Sequence, residues 1–204
     1  MMRRVVITGV GAVTPIGNTV KEMWAGVREG KCGIDKITKY DISNRKVKLA
    51  AEVKNLPVEE LVDKHDLRKM DLFCTFAMIA ADEAIADSGL SFEGEEDKCG
   101  VIVSSGIGGI STIEKEYSKG LEKGFDRVSP YFIPSVITNM AAGRIAIKHN
   151  LQGMCSCVVT ACAGGTNAVG DSFRQIRDGY ADVMVCGGAE AGITEISVGG
   201  FTTS

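Results

Sequence analysis

The stretch 71–88 constrains this chain most. Leu72, Phe73, Phe76, Ala77, Ile79, Ala80, Ala84 and Ile85 put apolar side chains nearly all round a helix, and Gly89 can close it as the C′ residue. Such a helix cannot lie on a surface. It needs cover on several sides, which favours a layered α/β fold, with sheets on either side of it, over a small two-layer domain. The chain has the material: 45% of its 204 residues are apolar, enough for a substantial core in one domain.

The flanking segments read as alternating strands and helices. Val5-Val6-Ile7 reads as a first core strand; Arg3 and Arg4 before it mimic a signal peptide, but Gly9, Gly11, Pro15 and Gly17 break the apolar run too early. Gly9, Gly11 and Gly17 do not form a dinucleotide loop, because the spacing is G-x-G-x5-G and no helix opens directly on it. Thr19 can cap a helix to Glu29 that ends at Gly30, and a strand is predicted near 47–53. Pro57, Glu59 and Glu60 mark a further helix start. A short strand over 100–104 runs into Ser105-Gly106-Ile107-Gly108-Gly109, which lacks the lysine and hydroxyl of a phosphate loop. A helix and polar loop follow over 110–124, then an extended aromatic segment, 129–134, held between Pro130 and Pro134. Thr138 or Asn139 caps the next helix, which closes near His149 and Asn150.

Val158-Val159 reads as the end of a buried strand, and Ala168, Val169, Phe173 and Ile176 recur at helical spacing beyond it. Cys162 therefore falls at a helix N-terminus, where unpaired N–H groups and the helix dipole favour a thiolate and can serve a developing oxyanion. Spacing alone leaves two readings open, a nucleophile and an inert cysteine that opens a helix. The helix closes at Gly179, and 181–186 makes a strand parallel to the one before Cys162. Cys74 and Cys186 read as core, and Cys32 as a turn residue. Cys155 and Cys157 point to one face of a strand as packing or interface residues, since no second pair completes a zinc site.

Seven cysteines without a regular framework argue against a disulfide scaffold and for a reducing cytoplasm. A net charge of −3 and the absence of a basic aromatic stripe exclude nucleic-acid binding, and no stretch approaches a membrane span.

The segment TACAGGTNAVGDSFRQIRDGYADVMVCGGAE resembles the active-site segment of the β-ketoacyl-acyl carrier protein synthases, closest to the elongating type II members. RRVVITGVGAVTPIGN, SSGIGGI, VSPYFIPSVITNMAAGRIAI and EISVGGF follow the same family in the same order. The resemblance implies a thiolase-like α/β/α/β/α fold, of which residues 1–204 would be the N-terminal of two similar halves. It implies that Cys162 takes an acyl chain from acyl carrier protein, and that malonyl-acyl carrier protein then loses CO₂ and attacks the acyl-cysteine. The family's two histidines and lysine for that second step lie downstream, and neither His65 nor His149 falls in a catalytic motif. Ile107, Phe132 and Phe201 match acyl-channel positions. Lys64, Arg68, Lys69 and Arg127 would meet the acidic carrier, with Arg68 and Lys69 the closest matches. A homodimer is expected through 153–159 and the loop at 131–134, and neither cofactor nor metal is expected. A non-catalytic chain-length-factor subunit, a polyketide-type ketosynthase and an unrelated cysteine hydrolase are the alternatives. The cysteine at 162 argues against the first of them.

Overall fold

The computed structural model describes residues 3–204. Helix α1, Val20–Glu29, is capped by the Thr19 side chain and closed by Gly30 in the left-handed region. A two-residue hairpin pairs β1, Asp35–Lys36, with β2, Leu49–Ala50, in antiparallel register. Two single-turn helices follow, α2 at Val58–Leu61 and α3 at Lys64–Leu67.

Helix α4 spans Leu72–Ser88 and is the predicted apolar helix. Asp71 caps its start and Gly89 closes it at φ 64. The Asp71 carboxylate also accepts from the backbone N–H and the hydroxyl of Thr112, at 2.8 and 2.7 Å, which ties α4 to α5, Ile110–Lys123.

Strand β3, Cys99–Ser104, is buried along its whole length. It is the middle of a parallel sheet in the order β4-β3-β5, with β4 at Cys155–Ser156 and β5 at Val183–Gly188. Between β3 and β4 the chain makes α5, α6 at Phe132–Val136 and α7 at Met140–His149; between β4 and β5 it makes α8, Gly164–Arg177. A last helix, α9, covers Glu195–Thr203.

The result is three layers: α4 with α7, the sheet, and α8. Phe73 and Cys74 of α4, Ala141, Ala142 and Ile145 of α7, and Val101 and Val103 of β3 form one buried cluster. Fully burying one such aliphatic or aromatic side chain contributes about 1.5–3 kcal/mol, so this cluster is the main stabilising feature. Among the described residues α4 is covered by α7, this sheet and the N-terminal segment, in keeping with the expected layered α/β fold.

Residues 5–7 form no core strand. Val6 and Ile7 are 57% and 82% exposed, and the segment runs extended across α4. Its backbone goes to carboxylates: Val10 N–H donates to Asp87 at 3.0 Å and Ala12 N–H to Glu83 at 2.9 Å. A Cβ on Gly11 would stand 1.8 Å from the Ala80 carbonyl oxygen, so this glycine is there for close approach to a helix. An apolar groove of about 370 Å³ separates residues 5–9 from β5.

Three further expectations change. The segment 129–134 is not extended throughout, because Pro134 sits in the first turn of α6, where its missing N–H costs nothing. The strand before Cys162 stops at Ser156, since the Val158 carbonyl accepts from the Ser104 hydroxyl at 2.6 Å instead of from a backbone N–H. Cys186 is exposed on the apolar groove and is not core. Enough apolar surface surrounds its thiol that burial pushes it above the usual range, with the Ser172 hydroxyl opposing.

Candidate active site

In a parallel sheet, ligands collect beyond the carboxyl ends of the strands. Three such ends converge here: Ser104 and Ser105 after β3, the turn that follows β4, and Gly188 to Glu190 after β5. They enclose an apolar cavity of about 490 Å³, and Cys162 is in its wall.

Cys162 is exposed, in a 3₁₀ turn at Ala161–Ala163 that leads directly into α8. No side chain caps α8, and the Gly164 N–H that opens it donates to the Ala161 carbonyl. Ala161 holds φ 50, a left-handed conformation that costs a non-glycine residue about 1–2 kcal/mol, and this bend turns the chain sharply at the cysteine. The helix start lies close on the sheet: a Cβ on Gly164 would be 1.9 Å from the Ser104 hydroxyl.

Elsewhere in the chain burial pushes the Cys74 thiol up to about 12 and raises Cys99 and Cys155 as well.

Ile107 and Phe201 line the cavity with Cys162, and the trough continues past both to Ile110 and Ile196. Phe132 does not line it. It opens α6 instead, because the helical turn at 132–136 carries it away from the extended path expected of it. Lys64, Arg68 and Lys69 gather at α3; Lys64 pairs with Glu59 at 3.1 Å, and Lys69 lies over the Tyr131 ring at 5.6 Å. Arg127 is on a separate 3₁₀ turn, four residues before Tyr131. Both histidines are engaged elsewhere, His149 with Asp82 at 2.8 Å and His65 with Lys69 at 3.2 Å.

Glu190 has no place among the sequence-based candidates. Its carboxylate accepts from the N–H groups of Gly106 and Ile107 at 2.8 and 3.0 Å and from the Ser105 hydroxyl at 3.2 Å. An acidic residue just past a parallel strand, on the same sheet end as the cysteine, was the available signal.

The parallel α/β sheet thus presents an exposed cysteine at a helix start without a side-chain cap, above an apolar cavity. Residues 2–204 match the family described as Beta-ketoacyl synthase, N-terminal domain, and the chain belongs to that family. It is 44% identical over 203 residues to the 3-oxoacyl-[acyl-carrier-protein] synthase 2 of Synechocystis sp., a match covering 99% of this chain and 49% of that protein. The chain thus spans about half the length of the curated relatives it matches. Among solved structures, the ishigamide ketosynthase/chain length factor superposes with a TM-score of 0.89 at 27% identity, over 100% of this chain and 51% of that one. A type II polyketide ketosynthase in complex with its acyl carrier protein and bound to the hexaketide, AntDE:AntF, superposes at 0.83 with 28% identity, over 100% of this chain and 49% of that one. The three layers are accordingly those of a thiolase-like ketosynthase fold.

Proposed function

We propose that this chain is the nucleophile-bearing half of a fatty-acid-elongating 3-oxoacyl-[acyl-carrier-protein] synthase of type 2. The observation that carries the reading is Cys162 exposed at the uncapped start of α8, in one cavity with Ile107 and Phe201. The thiolate of Cys162 attacks the thioester carbonyl of an acyl carrier protein; the carrier thiol leaves and the acyl chain lies along the trough between Ile107 and Phe201. The oxyanion is assigned to N–H groups in the first turn of α8 beyond Gly164, whose own N–H is held by the Ala161 carbonyl. Condensation needs a malonyl donor and donors to its enolate oxygen. His65 and His149 are committed to other partners, so this half supplies the acylation stage and a matching half the rest.

The basic turn at Lys64, Arg68 and Lys69, together with Arg127 on its separate turn, is the docking surface proposed for the acidic carrier. A homodimer through the β4 edge is favoured by its lack of an outer partner among the described residues and by Met154 and Val159, 45% and 54% exposed. Val158→Asp is expected to lower the sedimentation coefficient to that of a monomer. All seven cysteines are free, in keeping with a reducing cytoplasm.

The test is intact mass after incubation with acyl-loaded carrier protein. A mass gain of one acyl group that maps to Cys162 and vanishes in Cys162→Ser is expected. No gain at Cys162 in a folded sample would overturn the reading.

A further inference from the structure

We propose that Glu190 is a positioning residue that sets which chain lengths the Cys162 cavity admits, by holding Ile107 in place as its wall. This rests on the proposed acyl-transfer reading for its substrate class. Residues 105–108 form the glycine-rich corner of the cavity, a loop with little side chain of its own to fix it. One oxygen of the Glu190 carboxylate accepts from both Gly106 N–H and Ile107 N–H, and the other accepts from the Ser105 hydroxyl. Ser105 passes the restraint on, since its hydroxyl oxygen accepts from Gly108 N–H at 3.0 Å. Bonds from backbone N–H groups to a carboxylate are charge-assisted and directional, so they fix the loop's backbone as well as its position. The fit is close: a Cβ on Gly106 would lie 3.1 Å from the Glu190 oxygen and 3.7 Å from Cα of Ala161, in the turn that carries the nucleophile. Held this way, Ile107 presents a rigid apolar wall to whatever chain is attached at Cys162. Freed, it would yield to longer chains.

The chemistry makes a specific demand on the conservative variant. Both backbone donors use the same oxygen, so Glu190→Gln keeps them through its amide oxygen, while Glu190→Ala loses them.

The experiment labels Cys162 in the full-length protein with alkyl methanethiosulfonates from ethyl to octyl. It reads the ratio of short-chain to long-chain labelling rates by mass spectrometry. The native ratio should be narrowed about tenfold by Glu190→Ala, the size of effect a methylene carries in an apolar pocket. Glu190→Gln should restore it. Ile107→Ala should narrow it equally, and the double variant should add nothing beyond either single change, as expected for residues acting as one unit. If Glu190→Ala does not fold by circular dichroism, Gly106→Ala, whose methyl crowds the Glu190 oxygen that both N–H groups share, should narrow the ratio in its place. An unchanged ratio in the folded variants, or equal behaviour of Glu190→Gln and Glu190→Ala, would overturn the proposal. A Cys162 that shows length selection but takes no acyl group from carrier protein would overturn the proposed function and leave the Glu190 clamp standing.

Discussion

Helix α4 and the segment 5–10 are both apolar, and they lie against each other, yet one is buried and the other is not. Phe73 and Cys74 are 0% and 1% exposed, whereas Ile7 is 82% exposed. The difference is in the backbone. A helix satisfies its own N–H and C=O groups and can be buried wherever apolar cover exists; an extended segment must first find a neighbour for them. At the end of the segment Val10 N–H finds Asp87 on α4, Ala12 N–H just beyond finds Glu83, and these carboxylates hold the chain on the helix instead of in the sheet.

The largest test of this contrast is Phe73→Ala, which should cost about 3–5 kcal/mol in urea unfolding as an unfilled core cavity. Gly11→Ala comes next. Its methyl meets the Ala80 carbonyl oxygen and should cost about 1–3 kcal/mol by forcing the segment off the helix. That variant should also raise iodoacetamide labelling of Cys186, which lines the groove beneath the segment, while Cys74 stays unreactive. The smallest effect is expected of Ile7→Ala, within about 0.5 kcal/mol as an exposed substitution. A cost for Ile7→Ala equal to that of Phe73→Ala would show that the segment is buried in solution and break the comparison.

What was legible in the sequence was local. Thr19 with Gly30 and Asp71 with Gly89 bracket α1 and α4 as expected, because caps and periodicity are written within a few residues of the helix they bound. The family and its layered fold were legible from motif order, and the match over residues 2–204 bears this out. Partnership was not legible. Whether Val5-Val6-Ile7 joins a sheet, whether β4 continues past Ser156, and which wall Phe132 belongs to all depend on residues far away in the chain. The site divides in the same way. Cys162 was legible as the opening of a helix, and the motif around it singled it out. Glu190 reaches the loop at 105–107 across more than eighty positions, and its place just past a strand says nothing of which loop it holds.

The close approach of Gly164 to Ser104 has a consequence for how this sequence can change over time. An alanine at 164 collides with the Ser104 hydroxyl and crowds its Cβ, and removing that hydroxyl first strips the Val158 carbonyl of the Ser104 donor on the approach to Cys162. Each single step passes through a damaged intermediate, so the two positions are expected to vary only as a pair among descendants of this chain. A library randomised at both positions together should recover combinations that no sequential route reaches.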